Sequence, residues 1–256
     1  MFAEKMRARA KHFVSWNRAL CKALVERHPH FFENPSYHCE LRLRLDEDLV
    51  QPVGEVLEIG GIDRPFLSKG NGYSYVGLDV EDKPQCHEVY DRFIVQSIED
   101  PVAGQYRVIL SIYVLEHVRN NLAGIQNVYD ALSPGGSTHH YVPGKGHPYA
   151  WALRLVGHKW QQRLIANLWP GSVVGGYKTY FHCCTAKNME SLFREIGFDD
   201  VRVRPFYRVS EYFAVFIPAF VAVATFENFC KRYGLSYFAS GFVISGRKPT
   251  GARQRP

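Results

Sequence analysis

The sequence contains no Cys-x-x-Cys pair and no two histidines at zinc-finger spacing, so no metal site is expected. Its six cysteines (Cys21, Cys39, Cys86, Cys183, Cys184 and Cys230) are scattered, and adjacent Cys183–Cys184 is poorly suited to a disulfide. Reduced, mostly buried thiols are the expectation. There is no internal repeat and no low-complexity tract. No apolar run reaches the roughly 20 residues of a transmembrane helix; the longest, Tyr212 to Phe226, is interrupted by Pro218. That run reads as a buried helix pair. The charged N-terminus lacks the apolar stretch of a signal peptide. These absences point to a cytoplasmic protein, with peripheral contact at a membrane surface left open.

One excess could suggest an anionic macromolecular partner: 31 Lys and Arg face 25 Asp and Glu, a net charge of +6 over 256 residues. Its distribution argues otherwise. Residues 1–28 hold seven basic and two acidic side chains, and residues 247–256 hold Arg247, Lys248, Arg253 and Arg255 with no acid. The remaining residues carry 20 basic and 23 acidic side chains, so the body of the chain is slightly acidic. With 46% apolar and 22% charged residues the composition is globular.

Phe13, Trp16, Leu20 and Leu24 recur at helical spacing and predict an amphipathic helix over 5–27 with these four on its inner face. A short helix is expected around Leu41–Leu49. Residues 1–50 are therefore read as an N-terminal helical segment. From there the pattern alternates. Val56–Gly60, Tyr73–Val80, Phe93–Ile98, Arg107–Tyr113 and Ser137–Val142 are short apolar runs of the buried parallel type. Leu122, Ile125, Val128 and Leu132 mark a helix stopped by Ser133-Pro134-Gly135-Gly136. Thr185 caps another, with Met189, Leu192, Phe193 and Ile196 inward and Gly197 at its stop. Val201–Val203 and Phe238–Ser245 close the pattern. The expected fold is α/β: a Rossmann-like, mostly parallel, seven-stranded sheet with helices on both faces, over 51–256. Two insertions interrupt it, at 144–184 after strand five and at 209–235 between the last two strands.

In such sheets ligands bind beyond the carboxyl ends of the strands. Glu58-Ile59-Gly60-Gly61 follows strand one, Asp79 ends strand two, Gln96-Ser97-Ile98-Glu99 follows strand three, and Ser111 to His117 follows strand four. There is no GxGxxG, which a dinucleotide pyrophosphate would want, and Glu58 would repel a phosphate. Arg64–Ser68 leaves room for one or two helical turns after the glycines. A carboxylate at Asp79 suits a pair of ribose hydroxyls. The arrangement fits a ligand with a ribose, an adenine and an ammonium group but no phosphate.

Five segments together resemble the class I S-adenosylmethionine-dependent methyltransferases: Val56-Leu57-Glu58-Ile59-Gly60-Gly61, Tyr75-Val76-Gly77-Leu78-Asp79-Val80, Ser97-Ile98-Glu99, Leu110 to Val118, and Leu132-Ser133-Pro134-Gly135-Gly136. The resemblance covers 53–145, and 185–247 by pattern. It implies S-adenosylmethionine as cofactor, S-adenosylhomocysteine as product, and cofactor contacts from Glu58, Gly60, Gly61, Asp79, Val80, Ser97, Ile98, Ser111 and Ile112. The family pattern, acid-x-Gly-x-Gly-x-Gly, has Ile62 and Arg64 in place of its second and third glycines here. A side chain at Ile62 is expected to crowd the methionine end, with Gly61 supplying the missing freedom.

His147 and His182 are the candidate general bases for an acceptor hydroxyl. A sulfonium is already activated, so positioning can suffice. Trp151, Trp160 and Trp169 suggest a packed lid or an aromatic acceptor wall; insertions there shape the acceptor pocket in this family. The insertions are also loosely similar to bacterial methyltransferases of polysaccharide or secondary metabolism. The expected reaction is methyl transfer to oxygen or nitrogen of a small or glycosidic acceptor. The alternatives are a degenerate, inactive binding module and an RNA methyltransferase; for the latter, the Asn-Pro-Pro-Tyr type of motif is absent after strand four. A nucleic-acid partner is not expected, and the oligomeric state stays open.

Overall fold

The computed structural model describes residues 2–32, 35–50, 54–147 and 177–251. In chain order its helices are α1 (Phe2–Arg27), α2 (Pro29–Phe32), α3 (Tyr37–Asp48), α4 (Cys86–Val89), α5 (Asn121–Ala131), α6 (Ala186–Ile196) and α7 (Ile217–Arg232). Its strands are β1 (Glu55–Ile59), β2 (Ser74–Asp79), β3 (Arg92–Val95), β4 (Tyr106–Ile112), β5 (Leu132–Pro143), β6 (Asp199–Phe206) and β7 (Gly241–Arg247). The chain divides into two compact units. The first takes residues 1–35, 145–176 and 206–240, and the second takes 36–144, 177–205 and 241–256.

The second unit is built on a seven-stranded sheet of order β3-β2-β1-β4-β5-β7-β6. β1 pairs in parallel with β2 and β4, β2 with β3, and β4 with β5, whereas β7 runs antiparallel to β5. Val56, Leu57, Glu58 and Ile59 are all buried, as expected of a strand covered on both faces. On one side Leu57, Val76 and Ile109 pack with Val128, Met189, Phe193 and Ile196 of α5 and α6. On the other, Val56, Tyr75, Val108 and Leu110 pack with Leu45 of α3. The helix caps are as expected from sequence. Thr185 accepts from the Asn188 N–H at 3.2 Å, and α6 ends at Gly197 with φ of +114°.

Two expectations fail in this unit. No helix follows the glycines after β1: residues 60–73 are irregular. Gly70 and Gly72 stand at φ of +85° and +84°, a region that right-handed helix excludes. The Ile62 side chain does not crowd the strand ends either. It is 6% exposed and packed with Leu67, Tyr75 and Tyr90 in the core beneath α3.

In the first unit α1 is helical as expected, but its inner face is rotated. Phe13 and Trp16 are 49% and 55% exposed, while Asn17 and Cys21 are buried. Asn17 Oδ1 accepts the Ile217 N–H at 3.1 Å, and Cys21 Sγ lies 3.7 Å from the Ala214 carbonyl. A polar anchor, rather than the aromatic pair, sets the rotation. The run Tyr212–Phe226 is not a helix pair. It is a 3-10 turn (Val209–Phe213) followed by α7, which buries the stripe Phe220, Ala224, Glu227 and Cys230. Among the described residues no helix is long and apolar enough to cross a membrane. Trp151, Trp160 and Trp169 lie outside the described residues.

Candidate functional site

The strand order reverses at β1, which has β2 on one side and β4 on the other. That is where an open α/β sheet leaves a crevice beyond the strand ends. Gly60 turns the chain off β1 at φ of +81°, and its N–H donates to the Leu78 carbonyl on β2 at 2.9 Å. A Cβ at residue 60 would overlap the Val114 side chain and stand 4.0 Å from Asp79 Oδ2. Gly60, Asp79 and Val114, from the ends of β1, β2 and β4, therefore converge on one spot. Asp79 Oδ1 accepts from the Glu81 N–H at 3.1 Å. Partial burial raises the Asp79 carboxyl above its ordinary value, and the local N–H donors oppose that shift.

Glu58 is placed differently from a residue facing this crevice. It is 1% exposed. Its carboxylate accepts from the Phe66 N–H at 3.0 and 3.1 Å, from the Tyr75 hydroxyl, and from the Tyr90 hydroxyl at 3.4 Å. A Cβ on Gly61 would overlap Tyr90 Oη and the Glu58 carboxyl. Glu58 thus ties down the irregular 60–73 segment from beneath, and Gly61 is what lets the turn lie on top of it. Burial without a cationic partner pushes the Glu58 carboxyl up to about 7, against the hydrogen bonds it accepts.

The other expected contacts divide in the same way. Val80 is exposed at the end of β2, and Ile112 is half-buried at the end of β4. Ser97 is half-buried and its Oγ accepts from the Glu99 N–H at 3.1 Å. The Ile98 side chain belongs to the core beside α5, and its carbonyl accepts from Asn127 at 2.9 Å. Ser111 is fully buried, with Oγ 2.7 Å from His140 Nδ1. Burial pushes His140 down to about 3, so it is neutral.

The two candidate bases belong to different units. His147, in the first, is 3% exposed, with Nε2 3.8 Å from Glu227 Oε1. Burial pushes it down to about 4. His182, in the second, is exposed, and its Nδ1 accepts the Asn121 N–H at 3.0 Å. In the neutral ring the proton is then on Nε2, so the lone pair a general base needs is already engaged. Sequence reasoning missed Val114, Tyr75 and Tyr90. Only the glycine positions beside them hinted that something must fill the space.

A family model described as a methyltransferase domain matches residues 15–203 of the 256. The chain belongs to that family. It is an enzyme of the class I S-adenosylmethionine-dependent type that its five sequence segments resemble. Among solved structures, the cyclase SpnF is 15% identical with a TM-score of 0.51, over 84% of this chain and 81% of that one. A SAM-dependent methyltransferase from Archaeoglobus fulgidus is 14% identical with a TM-score of 0.49, over 90% and 94%. Phosphoethanolamine N-methyltransferase 2 from Haemonchus contortus is 14% identical with a TM-score of 0.46; the methyltransferase chain spans 82% of its own length but about half (52%) of that protein. The SpnF likeness supports the fold alone. No curated protein matches.

Proposed function

We propose that the second unit binds S-adenosylmethionine across the ends of β1, β2 and β4, and that the enzyme methylates an oxygen or nitrogen of a small or sugar-containing acceptor. The observation that carries the cofactor site is the convergence of Gly60, Asp79 Oδ2 and Val114. These residues suit the group. Asp79 keeps one oxygen on the Glu81 N–H and turns the other toward the glycine, where it can accept from ribose hydroxyls. Asp79 and Glu81 place negative charge at the end of β2, which favours a sulfonium, while Asp63 after β1 is paired with Lys83 at 2.6 Å. When bound, S-adenosylmethionine supplies an electrophilic methyl group. The chain's part is to hold it, exclude water and orient the acceptor.

The acceptor reading draws support from an aromatic group at the ends of β4 and β5. Tyr37 stacks on Tyr141 at 3.8 Å, and Tyr113 meets both edge-on, at 5.8 and 5.1 Å. Tyr113 is 46% exposed and held at φ of +60°, a costly conformation for a bulky residue and one that concentrates at functional sites. Such a floor suits an apolar ring or the apolar face of a sugar. With His182 Nδ1 engaged, positioning rather than a dedicated base is the expected route. Calorimetric titration with S-adenosylhomocysteine tests the cofactor site. Wild type should bind, and Asp79→Ala should bind at least about tenfold more weakly; a wild type that does not bind refutes the reading. Labelled-methyl transfer screened over sugars, phenols and amines then identifies the acceptor.

A further inference from the structure

The two units differ in charge and in what they expose. The residues of the first carry 14 basic and 5 acidic side chains, and those of the second carry 17 and 20. The first unit is therefore strongly basic and the second slightly acidic. Among the described residues ten Phe, Tyr and Trp side chains are exposed, and eight of them belong to the first unit. Basic charge and exposed rings thus fall in the same part of the molecule.

α7 is apolar on both sides. Its inner face buries Phe220, Ala224 and Cys230. On its outer face Pro218, Val221, Ala222, Thr225 and Phe229 are exposed, and from Ile217 to Phe226 the helix has no charged residue. The hydroxyl on that face, Thr225 Oγ1, donates to the Val221 carbonyl at 2.8 Å and so needs no water. Tyr233, just past the helix, is 62% exposed, and its ring lies 4.7 Å from that of Phe229. A surface helix ordinarily turns polar side chains outward, and a bare apolar face of this kind marks a contact. Basic residues, Lys231 and Arg232, stand in its last turn. α1 repeats the combination. Arg9, Phe13, Trp16, Leu20 and Arg27 recur at spacings of 4, 3, 4 and 7, a single helical stripe with exposed Phe13 and Trp16 between two arginines.

We propose that the outer face of α7, aided by the basic side chains of the first unit, seats the enzyme on an anionic lipid surface. The chemistry selects this occupant. A second copy would bring an equally basic unit against this one, and like charges oppose that pairing. Single-stranded nucleic acid is held by rings that stack on bases and by basic residues that track the phosphates. Pro218, Val221 and Ala222 offer no ring face for stacking, and the middle of α7 carries no charge. An anionic lipid surface accepts both features, with apolar and aromatic side chains entering the headgroup boundary while Lys and Arg meet the phosphates. At 16 residues α7 is too short to cross a bilayer, so the contact lies in the plane of the surface.

The test is sedimentation of the full-length protein with vesicles of phosphatidylcholine alone, or of phosphatidylcholine mixed with phosphatidylglycerol. No cofactor is needed, so the outcome is separate from that of the cofactor titration. The protein should bind the mixed vesicles at least about tenfold more tightly, and added salt should weaken that binding. Phe229→Ser combined with Tyr233→Ser removes two exposed rings and should weaken it about tenfold. Lys231→Glu combined with Arg232→Glu should weaken it about tenfold at low salt and less at high salt. Leu122→Ser, at an exposed apolar residue of the second unit, should leave it unchanged. All five side chains are exposed, so the variants should melt close to wild type. Equal binding to both kinds of vesicle, or binding to neither, overturns the anionic-lipid contact. Wild-type binding by the aromatic double variant overturns the α7 face as its seat. Single-stranded RNA binding that the aromatic variant loses, without vesicle binding, assigns the face to nucleic acid. A dimer in lipid-free buffer that the same variant splits assigns it to a second copy. Either result overturns the lipid.

Discussion

On one face of the sheet Gly77, Glu58, Leu110, His139 and Ser245 are successive register partners across β2, β1, β4, β5 and β7. Two buried carboxylates attach to this row, and they are treated differently. Glu58, on β1, receives only neutral donors: two tyrosine hydroxyls and one backbone N–H. Asp48, reaching in from α3, receives His139 Nε2 at 2.9 Å and the Arg247 guanidinium. Arg44 donates to Ser245 Oγ at 2.8 Å, which leaves the serine hydroxyl to donate to His139 Nδ1 at 2.8 Å. The His139 proton is then on Nε2 and points at Asp48. His139 and Arg247 hold the Asp48 carboxyl well below the usual range against its burial, whereas burial holds Glu58 up at about 7. Neutral hydrogen bonds of good geometry do not offset desolvation of a charge as an ionic partner does. The structural end of the row is locked as an ion pair. The end beneath the glycine turn can change protonation near neutral pH.

Breaking the locked end should cost most. Asp48→Ala leaves buried His139 Nε2 without its acceptor and Arg247 with the Gly135 carbonyl alone, and should lower stability by about 3 kcal/mol in chemical denaturation. Tyr75→Phe removes one donor from buried Glu58 and should cost about 1–2 kcal/mol, with cofactor affinity falling as the 60–73 segment loosens. Ser245→Ala interrupts the relay between Arg44 and His139 and should cost about 1 kcal/mol. The effect of Glu58→Gln has no single size, because it depends on pH. A carboxyl whose folded pKa is raised binds its proton more tightly when folded. It therefore weakens the fold as pH climbs from its unfolded value of 4.5 toward about 7. The variant loses that dependence, so its stability relative to wild type should improve from pH 5 to pH 8. A parallel pH profile would show that Glu58 does not titrate in this range. Asp48 should behave with the opposite sign, its contribution persisting at neutral pH and fading only in strong acid.

Much of this architecture is legible in the sequence, because apolar runs, glycine stops and the Thr185 cap are local signals. Register, the antiparallel pairing of β7 and the order of strands around β1 carry no such local signal and come from the structure alone. What the sequence hides is side-chain direction. Ile62 occupies a glycine position of the family pattern, yet turns into the core beneath α3. Glu58 reads as a cofactor contact from its place before the glycines, yet its oxygens are engaged below the turn by tyrosines 17 and 32 residues away. The Phe13 and Trp16 spacing is helical, but the buried contact of α1 runs through Asn17, whose partner at Ile217 lies 200 residues along the chain. Such long-range polar pairs leave no periodic trace.

The place of β7 has a consequence for how the molecule comes into being. β7 stands between β5 and β6 in the sheet, although it leaves the ribosome after both of them. Until Gly241–Arg247 emerge, β5 presents an open backbone edge, and β6 has no neighbour between itself and the parallel strands. The nascent chain can assemble β1 to β5 early, but it carries an unsealed edge for the remainder of translation. Such an edge favours pairing with other chains. Truncation before β7 should therefore yield aggregates rather than a smaller folded enzyme.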